Sequence, residues 1–342
     1  MQTPAIVANC LRRRVPAMAK NHSDESPIIR LGISACLLGQ PVRHDGGHKR
    51  EAFLVDTLGA FVNWVPVCPE VEIGMGTPRE TIRLEGNADD PRVVAPKSGV
   101  DHTNAMKRWS KQRLKALDEL DLHGFVLKRA SPSCGAFRVK VHPPNGGTPL
   151  NRGQGVFARA LTQQCPLLPV EEEGRLNDAW LRENFIERVF AWYRWQQFLA
   201  DKPTKKGLVA FHTAHKMTLM SHSVEAYRAL GRLVAGVGKR PWASVRADYA
   251  EGFMTTLARR PTRCKHTRVL DQLVGSLKRL IDAAARQELI GLVEDYRREL
   301  VPLTVPLNLL KDHVAMHDVP EWVRQQLYLN PCPKELRLRN QL

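Results

Sequence analysis

No run of 18 apolar residues occurs anywhere in the 342-residue chain, which excludes a membrane-spanning helix. The first 27 residues lack the ordered apolar core of a secretory signal, and although Arg12–Arg14 hint at a transit peptide, an extended start is the better reading, because Met18 also opens a plausible chain. A disordered tail is therefore expected over 1–27. Internal repeats and low-complexity tracts are absent. No cysteines pair at Cys-x-x-Cys spacing, which removes the usual structural zinc module. His-Glu-x-x-His is also missing, and with it the commonest zinc-hydrolase helix. Without a secretory signal, the seven cysteines read as reduced cytoplasmic thiols, available for metal or catalysis rather than disulfides.

What is present is an ordinary globular composition, 43% apolar, over a length that suits two domains. The charge is lopsided. Lys and Arg number 51 against 35 Asp and Glu, and from residue 201 onward the count is 24 against 14, so +10 of the +16 falls on the last 142 residues. An excess of that kind points to a polyanion, with nucleic acid as the default; a generally basic surface is the plain alternative.

The stretch IIRLGISACLLGQPVR, residues 28–43, is an apolar run that ends in a Gly/Pro loop carrying Cys36. The layout returns twice: FVNWVPVCPEV delivers Cys68, and GFVLKRASPSCG delivers Cys134. Short apolar runs bounded by turn residues read as buried strands. In an open α/β sheet the carboxyl ends of such strands share one edge, where ligands bind. Three thiols distant in sequence are thus expected to meet, either as a shared metal site or as three separately buried cysteines. Their polar Gly/Pro/Ser loops favour the shared site.

Between residues 28 and 170, strand-like and helix-like pieces alternate. Helices are predicted over His48–Leu58, Thr103–Leu120 and Val156–Gln164, and further strands over Phe137–Val141 and Leu167–Val170, with a hairpin possible between Thr77 and Pro91. This pattern predicts an α/β domain with an open, mostly parallel sheet and flanking helices. From Asp178 onward the signal is helical: Trp180–Asp201, Leu208–Val237, Trp242–Arg259, Thr267–Arg286, Gln287–Val301 and a last segment Glu321–Arg339. The expected organisation is 28–170, a helical linker over 171–205, and an all-α basic domain over 206–342.

Near the cysteines, Glu70 is the candidate acid/base, two residues past Cys68, while Ser131 and Ser133 on the Cys134 loop are candidates to donate a hydrogen bond or position water; turn-forming serines are the plain alternative. Arg43, His44 and Asp45 on the Cys36 loop are candidates for base or phosphate contact, although Asp45–Gly46 is equally a turn signal. Arg79 and Glu80 read as a structural ion pair.

ISACLLGQPVRHDGGHKR, VCPEVEIGMGTPRE and LKRASPSCG, in that order, closely resemble the signature segments of the thiouracil desulfidase family. The resemblance covers roughly 30–170. It implies a [4Fe–4S] cluster bound by Cys36, Cys68 and Cys134, with one iron open to the substrate's sulfur, and replacement of a thiocarbonyl sulfur by oxygen from water. LVAFHTAHKMTLMSHSVEAYRALGRLVA and the segments after it resemble a helical domain of unknown function found fused to desulfidase domains. That fused arrangement is similar to tRNA 4-thiouridine desulfidases and implies thiolated tRNA as substrate. Cys332 and the vicinity of Gln272 stand where that family often has histidine, so no chemical role is carried to them.

On this reading Arg259, Arg260, Arg263 and Lys265, with Lys205 and Lys206, are candidates for tRNA phosphate contact. His212, His215 and His222 fall on one helix face, as a packed face or a polar RNA-facing stripe rather than a metal site. Two other functions stay open: a desulfidase acting on free thiouracil, and a non-catalytic iron–sulfur protein that binds RNA or senses redox state.

Overall fold

The structure is a computed structural model that describes residues 29–201, 203–336 and 338–340; the expected tail 1–27 and Lys202 lie outside them. The chain divides between Asn177 and Asp178 into two compact units. No helix among the described residues is long and apolar enough to cross a membrane.

The first unit holds two sheets. One is wholly parallel, in the order β2 (Val62–Val67), β1 (Ile29–Ser34), β5 (Gly124–Leu127), β8 (Val170–Glu172). Leu31, Ile33, Phe125 and Leu127 are wholly buried, as expected for parallel strands covered on both faces. Two helices, α2 (Thr103–Asp118) and α3 (Val156–Gln164), supply Leu114, Leu117, Phe157 and Leu161 to the core that includes Phe125 and Leu127. A short helix, α1 (Pro69–Glu72), follows β2 directly.

The hairpin expected between Thr77 and Pro91 and the strand expected over Phe137–Val141 are present, displaced by a few residues, but they belong to a second sheet that was not expected. Its order is β4 (Asp90–Val94), β3 (Arg83–Asn87), β6 (Val139–His142), β7 (Leu150–Gly153), with both outer pairs antiparallel. Met106 of α2 joins Leu84, Val93, Val139 and Val141 beneath it. Of the helix expected over His48–Leu58, residues 48–51 are irregular and the rest is a π-helix at Phe53–Thr57 that runs into a 3-10 turn at Leu58–Ala60, with Leu54 and Leu58 buried.

The second unit is helical: α4 (Ala179–Ala200), α5 (Lys205–Ala214), α6 (Lys216–His222), α7 (Val224–Ala235), α8 (Trp242–Leu257), α9 (Arg263–Leu277), α10 (Ala283–Arg297), α11 (Thr304–Met316) and α12 (Glu321–Arg324). The single helix expected over Leu208–Val237 is therefore three. His215 ends α5, and Ser223 caps α7 by accepting from the Ala226 amide at 3.2 Å. Neither break is marked by Gly or Pro.

His212, His215 and His222 are packed rather than RNA-facing, but the break at His215 takes them off a single helix face, and each is buried against its own partners. The ring of His212 stacks on Tyr227 and its Nδ1 lies 3.1 Å from the Tyr249 hydroxyl, while His215 bonds the Phe211 carbonyl at 2.8 Å. His222 is wholly buried, with Nε2 3.0 Å from Glu187 and Nδ1 on the Arg259 carbonyl. Burial lowers His215 and His266 to about 3 and His212 to about 4. Each ring is thus neutral in the fold, and its contribution is complete above the unfolded value of 6.5 and is lost as pH falls through the folded value. Glu183 acts oppositely: burial lifts it to about 7, so its contribution is full below 4.5 and fades as pH rises through 7. Three depressed histidines, joined below pH 4.5 by Glu187, which despite its burial is held down to about 2 by His222, outweigh the raised carboxyls of Glu183 and Asp271, so the melting temperature of the helical unit is expected to drop steeply between pH 6.5 and 4. A melting temperature flat across that interval in a calorimetric pH series contradicts this reading.

Candidate functional site

Three adjacent parallel strands each end beside a cysteine. Cys36 follows β1, Cys68 follows β2, and Cys134 lies on the loop after β5. Because β1 pairs in parallel with both neighbours, all three carboxyl ends fall on one edge. The thiols line one cavity of about 230 Å³, together with Ser34, Arg43, His44, Glu70, Arg79 and Lys128 among others. Ser131 and Ser133 line it as well. Among the described residues no three His, Cys, Asp or Glu side chains are grouped to hold a single metal ion.

Glu70 enters from α1 and anchors a polar chain. Its Oε1 accepts from the Ser133 hydroxyl at 2.7 Å, and Ser133 lies 3.0 Å from the Ser131 hydroxyl. Ser131 in turn accepts from the amides of Ser133 and Cys134, at 3.3 and 3.1 Å, so it shapes the loop as well as lining the cavity. On its other side Glu70 is clamped by Arg79, whose Nε donates to Oε2 at 3.0 Å and whose terminal nitrogen pairs with the same oxygen. The same guanidinium donates to the carbonyls of Val42 and Gly76, both at 2.9 Å, and so joins the Cys36 loop to α1. Arg79 therefore pairs with Glu70 and not with Glu80, whose carboxylate takes the amides of Lys97 and Ser98. A partner nine residues away leaves no local trace in the sequence, and the role of Arg79 was not visible there.

The Cys134 loop is set by backbone contacts with α3. The amides of Val156 and Phe157 donate to the carbonyls of Pro132 and Ser133 at 3.1 and 3.0 Å, and the Gly155 amide to Gly135 at 2.7 Å. A Cβ at Gly155 would sit 2.5 Å from the Ser133 carbonyl oxygen and 2.8 Å from the Cys134 nitrogen. Only glycine permits that approach. Ala130 and Arg138, on either side of the loop, both have positive φ, 59° and 51°.

Burial governs the thiols. It pushes Cys36 up to about 11, although the Lys128 charge offsets part of the rise, and Cys68 is raised for the same reason, eased by the Val71 amide. Cys134 is pushed up furthest, despite a hydrogen bond with Ser34. Three neighbouring thiols in so dry a site stay protonated unless a cationic centre takes up their charge. The donor set fits a soft metal centre: three sulfurs from three elements around one cavity, with no fourth cysteine among its lining residues.

The remaining candidates separate. Arg43 and His44 line the cavity, while Asp45 is exposed and instead accepts from the Gly47 amide at 3.0 Å and pairs with Arg43 at 3.4 Å. In the helical unit Lys205 and Lys206 are exposed in the first turn of α5, and Arg259 and Arg260 are exposed after α8. Arg263 and Lys265 are half-buried and occupied: Arg263 donates to the Tyr296 carbonyl at 3.0 Å and pairs with Glu299, and Lys265 donates to the His222 carbonyl at 2.7 Å.

Fold and donor set together define an open α/β unit with a three-thiol, carboxylate-lined cavity at its strand edge. The family described as 2-thiouracil desulfurase matches residues 31–173, and a protein family of unknown function, DUF1722, matches residues 216–333. The uncharacterized protein YbbK of Bacillus subtilis 168 is 30% identical over 154 residues, which span 43% of this chain and 97% of YbbK. The uncharacterized protein YbgA of Escherichia coli K12 is 28% identical over 161 residues, 46% of this chain and 94% of YbgA. A solved structure described as the [4Fe-4S]-dependent thiouracil desulfidase TudS is 33% identical, with 44% of this chain and 94% of that one covered and a TM-score of 0.35. The chain belongs to the thiouracil desulfidase family, with a DUF1722 region following the desulfidase region.

The role of Gly155 is testable by stability. Gly155→Ala is expected to cost about 1–3 kcal/mol, because the Ser133–Cys134 backbone must shift. Gly275→Ala, on an exposed face of α9 with open space around its Cβ, is expected to gain about 0.5–1 kcal/mol. Equal effects in urea unfolding contradict the assignment.

Proposed function

We propose that Cys36, Cys68 and Cys134 hold a [4Fe–4S] cluster and that the chain is a desulfidase acting on 4-thiouridine in tRNA, in a reducing cytoplasmic setting. The observation that carries the proposal is the convergence of three thiols on one cavity beside a clamped carboxylate–hydroxyl pair. A cluster held by three cysteines supplies an iron with a free position, a soft Lewis acid suited to the sulfur of a thiocarbonyl. The overall change, thiocarbonyl plus water to carbonyl plus hydrogen sulfide, transfers no net electrons. It needs a proton acceptor for the attacking water and a donor for the departing sulfur.

Glu70 is the acceptor. Arg79 fixes one carboxylate oxygen, and the other already takes a proton-side contact from Ser133 at 2.7 Å, the geometry of a general base coupled to a relay hydroxyl. Ser133, only 1% exposed, sits between Glu70 and the Cys134 sulfur, 3.9 Å from the latter, and so can pass a proton toward the sulfur side of the cavity. Ser131 holds the Ser133 hydroxyl in place. Arg43 and His44 offer donors to the pyrimidine ring.

Two observations bear on the substrate. The +10 balance over residues 201–342, with Lys205, Lys206, Arg259 and Arg260 exposed, supports a tRNA partner for the helical unit. Lysines in the first turn of α5 oppose the helix dipole, an arrangement that favours an external anion there. The cavity itself, at about 230 Å³, is sized for one pyrimidine, whether free or turned out of a chain, so free thiouracil as substrate is the second reading.

Anaerobically prepared protein is expected to carry about four irons per chain and to lose its absorbance when Cys36, Cys68 or Cys134 is replaced by Ala. Glu70→Gln is expected to keep the absorbance and lose roughly 10²–10⁴-fold in rate. The assay is anaerobic incubation with bulk tRNA and nucleoside analysis. Conversion of 4-thiouridine to uridine supports the proposal; turnover of free thiouracil alone selects the second reading, and no turnover of either rejects the enzymatic assignment.

A further inference from the structure

A second concavity of the desulfidase unit, wider than the thiol cavity, lies beside it. It has a volume of about 1390 Å³ and shares Ile82, Arg129, Ala130 and Pro132 with the thiol cavity as a common wall. Pockets for single small molecules run to roughly 300–1,000 Å³. A cleft of this size is generous for a free base and suits a polymer.

Its lining is cationic: seven Arg or Lys against the two carboxylates Asp89 and Glu172. Three of the seven have internal duties. Arg83 pairs with Glu85, Arg159 donates to the Ala88 and Asp89 carbonyls, and Arg175 pairs with Glu171 at 2.6 Å. The other four, Arg129, Arg138, Lys140 and Arg152, are exposed, and their side chains have no ion pair or hydrogen bond among the described residues. Four free cations on one concave wall are the electrostatic footprint of a phosphate backbone.

An aromatic ring stands among them. Phe137 is 44% exposed, and its place is fixed from below, since the buried Glu172 carboxylate accepts the amides of Ala136 and Phe137 at 2.8 and 3.1 Å. The Arg175 guanidinium lies 5.0 Å from the ring centroid. A large apolar ring held at the surface by a buried carboxylate serves no core. Basic grooves with exposed aromatic rings are the general means of holding unpaired nucleotides, whose phosphates meet the cations while a base stacks on the ring.

We propose that this cleft is an RNA-docking groove of the desulfidase unit, in which Arg129, Arg138, Lys140 and Arg152 hold phosphates and Phe137 stacks a base neighbouring the target. The inference rests on the reading of RNA as substrate, and it locates the grip on the unit that carries the thiols. The shared wall at Arg129–Ala130 then lets the target base turn from the cleft into the cavity while its neighbours stay bound.

The test uses the full-length holoprotein and a fluorescein-labelled single-stranded oligouridylate, read by anisotropy over a range of salt. The R138A/K140A/R152A variant is expected to bind roughly tenfold or more weakly, with a log K against log salt slope shallower by about 2. Phe137→Ala is expected to weaken binding by about five- to a hundred-fold with the slope unchanged. Cluster absorbance and melting temperature verify that both variants are folded. Folded variants with wild-type affinity and slope overturn the cleft, as does wild-type protein that does not bind the probe. If the wild type binds through the cleft yet leaves 4-thiouridine in tRNA intact, the substrate reading falls and the groove stands. If tRNA is converted and the triple variant shows an unchanged KM, the groove falls and the substrate reading stands.

Discussion

Parallel pairing of β1 with both β2 and β5 is the constraint on which the site depends. Parallel strands share a direction, so whatever follows their carboxyl ends is gathered on one edge regardless of distance along the chain. Registers such as Ser34 against Val67, and Ile33 against Val126, bring three loop starts level. Each loop then needs only a few residues to present its sulfur. The buried Leu31, Ile33, Phe125 and Leu127 give this register its stability, because a one-residue slip would move each of them to the opposite, differently packed face of the sheet.

The second requirement is a polar frame around an otherwise dry cavity. Arg79 supplies it, with one guanidinium touching Glu70, Val42 and Gly76 and so joining the segment that carries Cys68 to the one that carries Cys36. Both partners are largely buried, 5% exposed for Arg79 and 16% for Glu70. Removing either would leave an uncompensated charge, which costs more than the pair itself contributes. Lys128 plays a similar part on the far wall, between Glu173 and the Cys36 thiol. Each cation is placed where three thiolates would otherwise repel one another.

Much of this was legible from residue order alone. The strands ahead of Cys36, Cys68 and Cys134 show as apolar runs ending in turn residues, and Val156–Gln164 was readable as a helix to the residue. What was not legible depends on distant partners. In the second sheet β4 and β6 alternate buried and exposed residues, but β7 buries only Gly153, and nothing local shows that these short strands leave the first sheet to form their own. Gly155 looked like one more turn glycine in a loop rich in them, whereas its role is set by the Ser133 carbonyl 22 positions earlier. The break between α5 and α6 at His215 follows from burial of that ring against Phe211 and Phe253, a tertiary effect with no local punctuation.

Net charge misleads in the same way, since it counts residues without saying where they spend their charge. The helical half carries +10, but Arg339 is buried between Glu183 and Glu187 and donates to the Tyr328 carbonyl, and Arg194 donates to the Pro331 carbonyl. Arg263 and Lys265 are likewise bound to backbone oxygens. These groups hold helices together and have little left for a phosphate. The first 200 residues, at 27 cations against 21 acids, look less promising by arithmetic. Yet they place four cations that are unpaired among the described residues around one cleft that opens beside the thiols. For a polyanion the local field in a concave site matters more than the sum over a domain, because low-dielectric walls concentrate it. The unit with the smaller formal charge thus gathers its exposed cations on one concave wall beside the thiols, which the count over a domain does not reveal.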